Sequence, residues 1–111
     1  MRGMDAAKMK CWVGFDRPDV VQDSGGGTDR DWAEEFKCGA HIRYLRGSET
    51  VQAARLAGRQ PVVVTIRANA LSKAIKTNWR LRDISGNVEY NIRTIVPSDD
   101  RLFLEITAES G

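Results

Sequence analysis

The sequence predicts a mainly β fold: a small antiparallel β-barrel of about six strands, with one short helix in the loop between strands two and three. Three observations carry this. Apolar residues recur with period two in run after run. The runs are separated by clusters of Gly, Pro, Asn, Asp and Ser, which are turn formers. Only one stretch joins helix start and stop signals.

In the first strand Cys11, Val13 and Phe15 alternate with Trp12, Gly14 and Asp16, and Arg17-Pro18 is expected to end the run. Three glycines, Gly25 to Gly27, then sit before a second β run led by Trp32. In that run Phe36, Cys38, Ala40, Ile42 and Tyr44 alternate with Lys37, Gly39, His41 and Arg43, the clearest two-faced pattern in the chain. The glycines read as the tip of a hairpin. A phosphate-binding loop needs a helix and a Lys-Ser or Lys-Thr pair after the glycines, whereas TDRDW continues into a β run.

The helix is expected over Ser48 to Ala57, with Ser48 as N-cap, Glu49 in the first turn and Gly58 as the stop. Val51, Ala54 and Leu56 give it a modest apolar side, so it needs packing to hold. Strand three is VVVTIR after Pro61, with Val62, Val64 and Ile66 on one face and Val63, Thr65 and Arg67 on the other. Ala70 to Lys76 reads either as a weak helix or as a loop with two apolar anchors, Leu71 and Ile75. Trp79, Leu81 and Asp83, the turn Ser85-Gly86-Asn87, and Val88, Tyr90 and Ile92 form a hairpin. After the turn Pro97 to Asp100, Leu102, Leu104 and Ile106 alternate with Phe103, Glu105 and Thr107 in the last strand.

With 111 residues, 41% hydrophobic and 29% charged, the chain reads as a single soluble domain over residues 1–111 with pliant loops at 23–31 and 46–60. Such a domain buries roughly two thirds of its unfolded surface and gains from association. A net charge of +2 is too mild to mark a nucleic-acid binder. No apolar stretch fits a membrane span or signal peptide, so no membrane partner is expected.

No catalytic residues are expected: the single histidine faces away from the core, no serine or cysteine has a visible base, and no carboxylate pair shows a catalytic spacing. Cys38 and His41 form a C-x-x-H, but their odd spacing on a strand sends them to opposite faces, so no metal and no cofactor is expected. Cys11 and Cys38 read as small buried hydrophobes. Trp12, Trp32, Tyr44, Trp79 and Tyr90, interleaved with Arg43, Arg80, Arg82 and Arg93, fit either a single-stranded nucleic-acid groove or packing and protein contact. Contact is favoured for Trp12 and Trp32, since three tryptophans exceed what a small interior hides and Trp12 lies on a polar face.

From Trp32 onward the order Ala40-His41-Ile42-Arg43-Tyr44-Leu45-x-Gly47-x-Glu49, VVVTIR, Trp79-Arg80-Leu81, a glycine turn, Tyr90-Asn91-Ile92 and a closing LFLEI resembles the head-tail joining proteins of tailed bacteriophages, also called head-closure or stopper proteins. Arg17-Pro18, the glycine loop and Trp32 fit the same order, and the match covers most of the chain. The sequence departs from the family in CWVGF, where aliphatic residues are preferred, in Gly39, where an aromatic is frequent, and in Tyr44, where proline is common.

The resemblance implies a non-catalytic virion protein of the phage neck, assembled in the bacterial host cytoplasm. It implies a homo-oligomeric ring under portal and adaptor proteins, above tail-terminator or tail-tube proteins, continuing the channel for packaged double-stranded DNA and closing it until the tail docks. On that reading Ser24, Gly25, Gly26, Gly27, Thr28, Asp29 and Arg30 form a docking loop within an arm from Asp23 to Asp31. Arg46, Gly47, Glu49, Arg55 and Arg59 lie in a segment, Arg46 to Gln60, that faces the channel and meets DNA without base specificity. Two other readings stand beside it: an independent OB-like module that binds single-stranded nucleic acid, and a tail-completion protein of the same neck.

Overall fold

The computed structural model describes residues 9–22 and 28–111. Its elements are β1 (Cys11–Gln22), β2 (Thr28–Tyr44), α1 (Glu49–Leu56), β3 (Gln60–Arg67), β4 (Arg80–Asp83), β5 (Val88–Pro97) and β6 (Phe103–Ser110). All neighbouring strands pair antiparallel, in the order β1-β2-β3-β6-β5-β4, and β4 returns to β1 to close a six-stranded barrel. Closure removes most of the unpaired strand edge that an open sheet would carry.

Period two decides the interior. Val13, Phe15, Ala40, Val62, Val64, Ile66, Leu81, Ile106 and Ala108 are fully buried, and Ile42, Tyr90, Ile92 and Leu104 complete the lining, so that one face of each strand contributes. Phe15 lies directly opposite Phe36, the rings stacked with centroids 5.0 Å apart. Glu35 is the extra residue of a β-bulge just past that pair, a device that bends a strand and increases its twist.

The strand limits differ from expectation in ways the pairing explains. β1 does not stop at Arg17-Pro18 but runs on to Gln22, paired with β2 as far as Gln22↔Thr28. Only Val13 to Asp16 also touch β4. Beyond Asp16 the strand therefore has one neighbour among the described residues, and on an open edge a proline costs no hydrogen bond when its missing N–H faces solvent. Leu102 lies outside β6 and is exposed, while Phe103 and Leu104 are both buried. Residues 70–76 hold a short 3₁₀ turn, Ser72–Ala74; of the two apolar anchors Ile75 is buried and Leu71 exposed.

Antiparallel order also fixes the two ends of the barrel. The far ends of β1 and β2, residues 68–79 and the turn at 98–102 share one end. Residues 45–59 with α1, the turn at 84–87 and the C-terminus share the other. At the first end the β1–β2 ladder from Arg17 to Gln22 leaves the barrel as a two-stranded arm about 20 Å long at ~3.3 Å per residue.

Candidate functional site

The outer face of β4, β1 and β2 at the root of the arm gathers the charged and aromatic side chains that the barrel does not use. Trp12, Gly14, Asp16 and Pro18 alternate onto this face of β1, and their partners on β2 are Gly39, Lys37, Glu34 and Trp32. Arg80 and Arg82 stand beside them on β4, opposite Asp16 and Gly14.

Asp16 is 2% exposed although it points outward, because two guanidiniums cover it. Arg82 grips it in two places, Nε to Oδ2 at 2.6 Å and Nη2 to Oδ1 at 2.9 Å, and Arg80 Nε donates to Oδ2 at 2.8 Å. Such forked pairing is the geometry for which arginine is suited. Burial would raise the Asp16 pKa, but the hydrogen bonds from Arg82 and Arg80 outweigh it and hold the carboxyl below its ordinary value.

The network then reaches outward. Arg82 Nη2 also donates to Glu34 on β2, and Arg80 Nη1 to Glu89 on β5 at 3.2 Å. The Arg80 guanidinium lies 4.8 Å from the centroid of Trp32, a cation–π contact. Arg17 Nε donates to Glu35 at 2.8 Å across the arm itself.

Two arginines of β4 thus fasten both strands of the arm to the barrel wall. A Cβ on Gly14 would stand 2.6 Å from Arg82 Nη2, so the absent side chain is what lets the guanidinium lie across β1.

The residues singled out from sequence fall in three places. Trp12, 48% exposed, and the partly covered Trp32 share this outer face, one on each side of the Asp16 network. Of the docking loop, Thr28, Asp29 and Arg30 are strand residues paired with Gln22, Val21 and Val20, while Ser24, Gly25, Gly26 and Gly27 lie outside the described residues.

Arg46, Gly47, Glu49, Arg55 and Arg59 are all exposed at the opposite end of the barrel. There Gly47 holds a φ of +104°, which favours glycine, and Ser48 Oγ accepts from Val51 N at 3.1 Å to cap α1. Gly58, at φ +83°, ends the helix, which touches the barrel chiefly through Ala54 packed toward β3. Arg59 donates to Glu109, which also receives Arg93.

The aromatic and arginine set does not form one groove. Trp79 and Tyr90 are in the core, and Arg80, Arg82 and Arg93 each hold a carboxylate. Cys38 is half-buried, and burial pushes its thiol up to about 11, which keeps it protonated. Among the described residues no three His, Cys, Asp or Glu side chains converge as a metal site requires.

The sequence reading missed Asp16, Glu34 and the pairing of Arg80 and Arg82. The available signal was an Arg-x-Arg on the outward side of one strand and a lone outward Asp on another, but joining them needed the β1–β4 closure.

A search of curated proteins finds no match. Among solved structures the fold is similar to the solution structure of a Shigella flexneri 2a protein, with TM-score 0.70, 18% identity and 97% of each chain covered. It is also similar to a chain in the virion of a native gene transfer agent particle, with TM-score 0.59, 18% identity, and 89% of this chain and 91% of that one covered. At such identities the likeness speaks for the fold. The model of the phage head completion protein family matches residues 4–111, almost the whole length, and the chain belongs to that family.

Proposed function

We propose that this head completion protein is a ring-forming subunit of the phage neck, seated under portal and adaptor proteins, which continues the DNA channel, closes it after packaging and gives the tail its docking surface. Family membership supplies the coarse role, a structural one in the virion. The observation that supports the finer one is that a closed barrel sends its two excursions from opposite ends: the braced arm from one, residues 45–59 with α1 from the other. A subunit held between a ring above and a ring below needs a rigid wall with distinct contacts at its two ends.

In this arrangement the arm, whose sequence runs on into the docking residues 24–30, reaches an adjacent ring. Trp12 and Trp32 lie on the wall beside its root and serve protein contact. The segment Arg46 to Gln60 faces the lumen. Its exposed Arg46 and Arg55 meet DNA phosphate, while Glu49 and the Glu109 shared by Arg59 keep the local basicity modest. That balance suits DNA that must be held and later released, because affinity for phosphate climbs steeply with each added cation. No step of this role calls for catalysis.

The test is electron microscopy of particles made without this chain. Heads that fill and then leak their DNA beside free, unattached tails are expected. Intact, infectious particles would refute the role.

A further inference from the structure

The barrel is closed, yet one seam in it is only half sewn. β2 pairs with β3 from His41 to Tyr44 and no further. Above that point, among the described residues, β2 pairs only with β1, and Ile66 and Arg67 of β3 pair only with β6. The strands part around a cleft of about 250 Å³ lined by Met9, Phe36, Cys38, Gly39, Arg67 and Asn69. Its floor is apolar and sulfur-bearing, its mouth carries a cation and an amide, and Arg67 has no carboxylate partner among the described residues.

A second unpaired edge lies on the arm. From Arg17 to Gln22, β1 has β2 on one side and nothing on the other among the described residues. In the order β4-β1-β2-β3 the seam is on the β3 side of β2 and this edge on the β4 side of β1, so the two face opposite ways. A chain cannot bring its own edge to its own seam without undoing the braced root. Two different surfaces facing opposite ways are what a head-to-tail contact between copies requires.

Charge agrees. Of the edge residues Arg17 to Gln22, Arg17 is held by Glu35 at 2.8 Å, which leaves Asp19 as the carboxylate that the edge offers to the cation of the seam. Asp19 is exposed and only distantly paired, 4.0 Å from Arg17.

We propose that in the ring the β1 edge of one subunit's arm enters the β2–β3 seam of the next copy, adding a strand there with Asp19 turned toward Arg67. Backbone pairing supplies affinity and the charges supply register. Pro18, which lacks an N–H, limits the paired length to the residues after it and blunts indiscriminate edge association. This contact rests on the ring reading above.

The experiment uses the full chain, assembled, with Arg67→Cys carrying a benzophenone maleimide as photo-cross-linker. Cross-linked peptides are expected to contain residues 17–22 of another copy. Peptides from residues 1–8 of the same chain would give the seam to its own leading segment and overturn the contact. A second readout is charge exchange: Arg67→Glu is expected to raise the concentration needed for assembly about tenfold, and Asp19→Arg in the same chain to restore it. A ring that assembles with neither effect overturns this contact and leaves the ring reading standing, whereas a chain that stays monomeric under every condition overturns both.

Discussion

At the scale of single residues, Asp16 carries the most consequence. Its carboxylate is nearly sealed from water by Arg80 and Arg82, so removing the charge leaves two guanidiniums crowded on one face. Breaking one side of a buried charge group costs several kcal/mol when fully desolvated. With the arginines about a quarter exposed, Asp16→Asn is expected to lower unfolding free energy by about 2 kcal/mol.

The pH dependence has a definite sign. A carboxyl whose folded pKa lies below its unfolded value, 3.8, contributes fully above that value and loses its contribution as the pH falls through the folded one. Urea titrations of wild type are expected to show stability falling steeply below about pH 4, with Asp16→Asn flattening part of that slope. Superimposable profiles would remove Asp16 from the account.

Gly14 belongs to the same unit. Gly14→Ala pushes the Arg82 guanidinium off β1, and because that is the free end of a long side chain the cost is expected near 1 kcal/mol. In an Arg82→Ala background the same change is expected to be close to neutral, and full additivity in the cycle would contradict the proposed contact.

At the scale of elements, the arm and α1 are held in opposite fashions. A two-stranded ribbon is marginal alone in water, and here four arginine contacts and a cation–π pair secure its root. α1 has eight residues, too few to be stable in isolation, and depends on its cap and on Ala54. Ser48→Ala is expected to cost about 1 kcal/mol, read as faster amide exchange confined to residues 51–57. Slower or barrel-wide exchange would mean the cap does not govern the helix.

The turn before β6 offers a gain instead. Arg101 sits at φ +61°, so Arg101→Gly is expected to stabilise by up to about 1 kcal/mol. Loss of stability would show that the Ser98–Asp100 bonds of that turn rely on the arginine.

What the sequence made legible was local. Alternation placed Val62, Val64 and Ile66 inside, and Ser48 and Gly58 marked α1, because strand period and capping are written in adjacent residues. The length of β1 was not legible, since Arg17-Pro18 looks like a stop unless the open edge beyond Asp16 is known. Nor was the Asp16 network, whose members are 64 and 66 residues apart and meet only through barrel closure.

At the scale of the whole molecule, the closed wall makes the barrel one cooperative unit. Its fully buried layer includes Ile66 and Leu81, and truncating either to Ala is expected to cost about 2–5 kcal/mol. Excising residues 19–31 in favour of a tight turn at the root is expected to leave the barrel folded and abolish assembly.

The most direct measurement is a cryo-electron microscopy reconstruction of the assembled neck, into which the barrel can be placed by its α1 end and its arm. The proposed function calls for a ring with every arm directed at a neighbouring protein and every α1 segment, Arg46 and Arg55 foremost, bordering the DNA channel. A ring with α1 on its outer rim and the arms free in solvent would contradict it.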